Sequence, residues 1–90
     1  MNQGDLVIVR AFRHRPLLRV AWEENEVGIL VCKQEEYEWA TRQGEDPDCS
    51  GFPKEDVFRY DPRLWERLHE ASAQGDTSQL EALWVEAPTH

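Results

Sequence analysis

The chain has 90 residues, of which 18 are Asp or Glu and 10 are Lys or Arg, for a formal net charge of −8. That length allows one domain, or one small domain with an appendage, and excludes doubly wound sheets and (β/α) barrels, which need far more chain. The acidity argues against a surface built throughout to hold phosphate backbones. Four Trp, two Tyr and three Phe supply large apolar groups for a core.

Taken in chain order, Leu6–Phe12 is short and rich in β-branched and aromatic residues and reads as a strand. Arg13-His14-Arg15-Pro16 reads as a charged connector, since proline cannot donate to a central ladder. Leu17–Trp22 reads as a second strand and Val27–Cys32 as a third, joined by the polar turn Glu23-Glu24-Asn25-Glu26. The unbroken apolar run of the third strand predicts burial on both faces. Between Glu35 and Arg42, Tyr37 and Trp39 alternate as in a strand, whereas Glu35, Glu36, Glu38, Ala40 and Arg42 favour a helix. The helix is the preferred reading, ended by Gly44.

Gly44–Gly51 combines Gly, Pro, Asp and Ser and reads as a loop. Gly51-Phe52 then resumes a strand, Pro53–Asp56 forms one tight helical turn, and Val57–Tyr60 forms a closing strand. Asp61-Pro62 marks a helix start, followed by Leu64, Trp65, Leu68 and Ala71 at helical spacing. Gly75 ends that helix. Thr77 or Ser78 caps a second one carrying Leu80, Leu83 and Trp84, which stops before Pro88.

The segment Gly51-Phe52-Pro53-Lys54-Glu55-Asp56-Val57-Phe58 resembles the closing motif of SH3 domains, and Gly4-Asp5-Leu6-Val7 resembles the opening of such small barrels. Asp56 stands where that family places a groove-lining tyrosine, so the resemblance implies a fold and not a proline-rich ligand. The expected architecture is therefore α+β: an SH3-like antiparallel small barrel over 4–60, with a short helical insertion near 35–43. Two C-terminal helices over 61–87 pack on it within a single domain of residues 1–90.

Charge is divided unevenly. Residues 1–22 carry Arg10, Arg13, Arg15 and Arg19 against Asp5, a net of +3, and residues 23–90 carry a net of −11. Such asymmetry steers an encounter without naming the partner. Arg10, Arg13, Arg15 and Arg19 are candidate partner-binding residues, because guanidinium groups at a hairpin can clamp carboxylates or phosphates. Trp39 is the candidate exposed ring. The bland alternative is a solvated hairpin that balances the acidic remainder.

Catalysis has little to draw on. Ser50 lacks a nucleophile elbow, and Asp46 and Asp48 beside Cys49 raise its thiol pKa. No phosphate-cradling glycine pattern, CxxC pair or calcium-loop spacing is present, so no cofactor or metal is expected. Cys32 and Cys49 read as free thiols. With no apolar run of membrane-spanning length and an N-terminus unlike a signal peptide, the expected location is the cytoplasm. The expected function is non-catalytic: a protein-interaction or adaptor domain using the barrel surface. The alternative is a nucleic-acid-associated accessory protein using the Arg10–Arg19 hairpin. A homodimer through the C-terminal helices is a further partner reading.

Overall fold

In the computed structural model, which describes residues 1–88, five strands are β1 (Leu6–Arg10), β2 (Pro16–Glu24), β3 (Ile29–Cys32), β4 (Ser50–Phe52) and β5 (Val57–Arg59). Helix α1 (Gln34–Gln43) lies between β3 and β4, and α2 (Pro62–Ala73) and α3 (Thr77–Glu86) follow β5. The sheet is antiparallel throughout, in the order β4-β3-β2-β1-β5.

That order corrects the expected barrel. β4 and β5 are the two outer strands and do not pair with each other, so the sheet is open and not an SH3-like closed barrel. The eight-residue resemblance captured only local geometry: a 3-10 turn at Lys54–Asp56 and a strand resuming at Val57. Closure needs a continuous ladder between the outermost strands. Each of these has three residues and offers few donors for one. The helices cover a face instead. Ile8 and Phe58 pack against Leu68, Ala71, Leu80, Leu83 and Trp84. Val7, Val9, Ala21, Ile29, Val31 and Val57 form a second cluster, flanked by Met1, Leu17 and Phe52. Strand β1, which lies between β2 and β5, feeds both clusters, and Val7, Ile8 and Val9 are fully buried.

Local chemistry explains the element ends. Asp61 accepts hydrogen bonds from the backbone N–H of Arg63 (2.8 Å) and Leu64 (3.5 Å), and Pro62 occupies the first turn of α2. The cap of α3 is Asp76, which accepts from Gln79 N–H at 3.1 Å, and not Thr77 or Ser78. Asp76 precedes the residues expected to cap and satisfies the same orphan donor with a stronger acceptor. The helix preferred for Glu35–Arg42 forms as Gln34–Gln43 and ends on Gly44 at φ 69°. It docks through fully buried Ala40 and through Tyr37, whose ring meets Trp22 edge-on at 6.2 Å. Trp22 lies at a register shift in β2 between Ala21 and Glu23, a bulge that turns its side chain out of the regular alternation.

The β2–β3 turn is built from residues its geometry favours. The Asn25 side-chain oxygen accepts from Val27 and Gly28 N–H, both at 2.9 Å, and Asn25 N–H donates to the Gly28 carbonyl at 2.9 Å. Gly28 is required by close approach, because a Cβ there would collide with the Phe52 carbonyl oxygen of β4.

Candidate functional site

The β1–β2 turn is built differently. The last ladder pair is Arg10 with Pro16, which leaves Ala11–Arg15 to reverse the chain. The residue pattern extends the first strand to Phe12 and begins the second at Leu17. The structure ends β1 at Arg10 and starts β2 at Pro16, where a missing N–H is tolerated at a strand's first residue. Ala11 N–H donates to the Arg15 carbonyl at 2.8 Å and Arg15 N–H to the Phe12 carbonyl at 3.4 Å. The two residues at the tip, Arg13 and His14, have φ of 60° and 62°. Positive φ at both central positions is the pattern of a type I′ turn, which strongly favours Asn-Gly. With Cβ atoms in place, each residue costs about 1–2 kcal/mol in that region.

The compensation comes from α3. The Trp84 Nε1–H donates to the His14 carbonyl at 2.8 Å, and His14 Nε2 lies 3.3 Å from Glu81 Oε1. Trp84 is itself buried and packs on Phe58 with ring centroids 4.8 Å apart. The tail helix thus fixes the turn from behind. On the solvent side Phe12 is 82 % exposed, and the Arg13 guanidinium lies 5.5 Å from its ring centroid. Ala11, Phe12, Arg13, Arg15 and Leu17 line a shallow depression there. Among the described residues neither Arg13 nor Arg15 has an ion-pair partner.

The four arginines expected to act together are divided. Arg13 and Arg15 sit at the exposed turn. Arg10 is pinned across the sheet to the turn before β5. Its Nε donates to Asp56 Oδ1 at 2.8 Å, its Nη2 lies 2.6 Å from the same oxygen, and its guanidinium lies 5.7 Å from the Phe58 ring centroid. Arg19 is half-buried in β2, where it donates to the Leu18 carbonyl at 2.8 Å. It stands four residues beyond Arg15, about 13 Å along an extended strand. A single Arg10–Arg19 basic surface for nucleic acid therefore does not assemble. The adaptor reading loses its premise as well, because no barrel surface exists. Trp39 is 45 % exposed on α1.

Phe12 was missed as a site residue because its apolar neighbours place it in a strand. The signal that could have found it is Pro16, which marks the start of β2 and leaves room for only a short turn before it. The apolar stripe of the tail is turned inward: Leu68, Leu80, Leu83 and Trp84 are buried against the sheet, with Leu64 and Trp65 half-buried beside them. Val85 remains exposed.

At the other end of the sheet, Cys32 is buried and Cys49 half-buried, and both are free thiols. Burial, followed by the neighbouring Cys49 and then Glu36, pushes the Cys32 thiol up to about 11. Burial also raises Cys49, with Asp48, Asp46 and Glu23 adding to the effect and a hydrogen bond with Cys32 opposing it. Among the described residues no group of three or more His, Cys, Asp or Glu is placed to hold a metal ion, and no helix is long and apolar enough to cross a membrane.

No protein-family model, curated protein or solved structure matches this chain.

Proposed function

We propose that the protein works by contact and not by catalysis, and that its contact element is the β1–β2 turn. Phe12 is the apolar anchor, and Arg13 and Arg15 are its charged flank. The observation that carries this reading is an 82 % exposed phenylalanine on a turn whose two tip residues hold positive φ without being glycine. Strained backbone persists only where surrounding structure over-determines it, and it clusters at ligand-contacting segments. A turn already held rigid by Trp84 and Glu81 loses little freedom on binding.

The partner's chemistry follows from the three side chains. A bare aromatic ring is matched by an apolar recess, and two unpaired guanidinium groups by carboxylates at its rim. The occupant is thus a protein surface with an apolar pocket edged by Asp or Glu. The acidic remainder of the chain repels such a surface and so directs the turn toward it. The cytoplasm, where free thiols persist, is the proposed location.

The test is a photo-crosslinking residue at position 12, followed by purification of the captured partner and calorimetric titration. Phe12→Ala should weaken binding about 30-fold or more, and Arg13→Glu with Arg15→Glu should weaken it further as salt is lowered. Val85→Ser, which removes a different exposed apolar group, should leave affinity unchanged. Equal affinities for wild type and Phe12→Ala would overturn the assignment.

A further inference from the structure

The ladder between β3 and β4 pairs Ile29 with Phe52, Leu30 with Gly51, and Val31 with Ser50. Extending that register by one step sets Cys32 directly opposite Cys49. Residues two apart on a strand share a face, so Cys32 follows Leu30 and Cys49 precedes Gly51 on the same side of the sheet. The Leu30–Gly51 contact marks that side, since a Cβ at Gly51 would sit 3.5 Å from Leu30 Cδ2. Directly opposed cross-strand residues have Cα separations of about 4.5–5.5 Å, inside the range a disulfide spans. The Cys32 thiol donates to the Val20 carbonyl at 3.8 Å and the Cys49 thiol to the Pro47 carbonyl at 3.4 Å, and the two thiols are near enough to shift each other's titration.

We propose that Cys32 and Cys49 are a reversible oxidation site, closed to a cross-strand disulfide by exchange with a low-molecular-weight disulfide such as oxidised glutathione. Cys49 is the entry point, being half-buried where Cys32 is only 3 % exposed. A small cavity whose lining includes Cys32, Asp48 and Ser50 opens beside the pair.

In the first step the Cys49 thiol loses its proton and its sulfur attacks one sulfur of the reagent. The reagent S–S bond breaks, one thiolate leaves and takes up a proton, and Cys49 carries a mixed disulfide. In the second step Cys32 loses its proton and attacks the Cys49 sulfur, expelling the second thiolate. Two protein thiols are oxidised to one disulfide, and one reagent disulfide is reduced to two thiols. The bond closes the segment from 33 to 48, ties the outer strand β4 to β3 and confines α1 within the loop.

The experiment exposes the purified full chain to oxidised glutathione, quenches with acid, and reads the intact mass and peptide map. The expected product has lost two hydrogens, carries no glutathione and yields a linked Cys32–Cys49 peptide. Cys32→Ser should stop at the glutathione adduct on Cys49, and Cys49→Ser should react more slowly than wild type. The oxidised protein should melt roughly 10 °C higher, as expected for closing a loop of this size without strain. A stable glutathione adduct on the wild type, a disulfide between two chains, or a lowered Tm on closure would overturn the proposal.

Discussion

The two hairpin turns of this sheet solve the same problem in opposite ways. The β2–β3 turn is self-sufficient: Asn25 satisfies its own donors and Gly28 allows β4 to approach. The β1–β2 turn places Arg13 and His14 where Asn-Gly is favoured, and depends on Trp84 and Glu81 from a helix some 70 residues further along the chain. Of the two turns, the first alone sets local preference aside, and it carries the exposed Phe12. The strain is borne where a rigid, outward-facing set of side chains is displayed.

The comparison can be broken most forcefully at Trp84. Trp84→Ala removes a buried ring, its packing on Phe58 and the bond to the His14 carbonyl, and should cost about 3–5 kcal/mol in chemical denaturation. Amide exchange should then rise at Phe12–Arg15 well before it rises at Asn25–Gly28. Equal exchange at both turns would show that α3 does not hold the first one. Gly28→Ala tests the other side. Its Cβ meets backbone and not a flexible side chain, so a loss of about 1–3 kcal/mol should appear in the same assay.

Asn25→Ala should cost about 1 kcal/mol, because two backbone donors lose a common acceptor and turn to water. His14→Gly should do the reverse. Relief of the positive-φ strain outweighs the loss of a partly exposed contact with Glu81, raising stability by about 1 kcal/mol. A destabilised His14→Gly would mean that the turn is not strained. Smallest of all, Phe12→Ala and Arg15→Ala should change stability by no more than about 0.5 kcal/mol, since both side chains are exposed.

How far these features could be read in the sequence depended on the range of the interactions involved. The tail helices were legible because Asp61-Pro62 and the Leu64–Ala71 spacing are local signals. The helix at Gln34–Gln43 was legible from its Glu and Ala content against two alternating aromatics. Residues 53–57 gave the 3-10 turn and the following strand through proline and turn chemistry, yet the same residues suggested a closed barrel that does not form. Whether two outer strands meet is decided by their lengths and by what covers the faces, and an eight-residue motif carries neither. The pairing of Arg10 was not legible for a similar reason. Its partner Asp56 is 46 positions away, and only the pairing of β1 with β5 brings them together. Arg13 and Arg15 remained at the surface because their turn projects beyond the ladder.

The short outer strands have a consequence for the behaviour of the protein in concentrated solution. Each offers only three residues of unpaired backbone, β4 follows directly on an acidic loop, and Pro53 interrupts any extension toward β5. An incoming chain finds too little template to add a strand, and the molecule's net charge of −8 opposes its approach. Leaving the sheet open therefore exposes little to intermolecular strand addition, so the protein should remain dispersed where a longer open sheet would assemble into fibres.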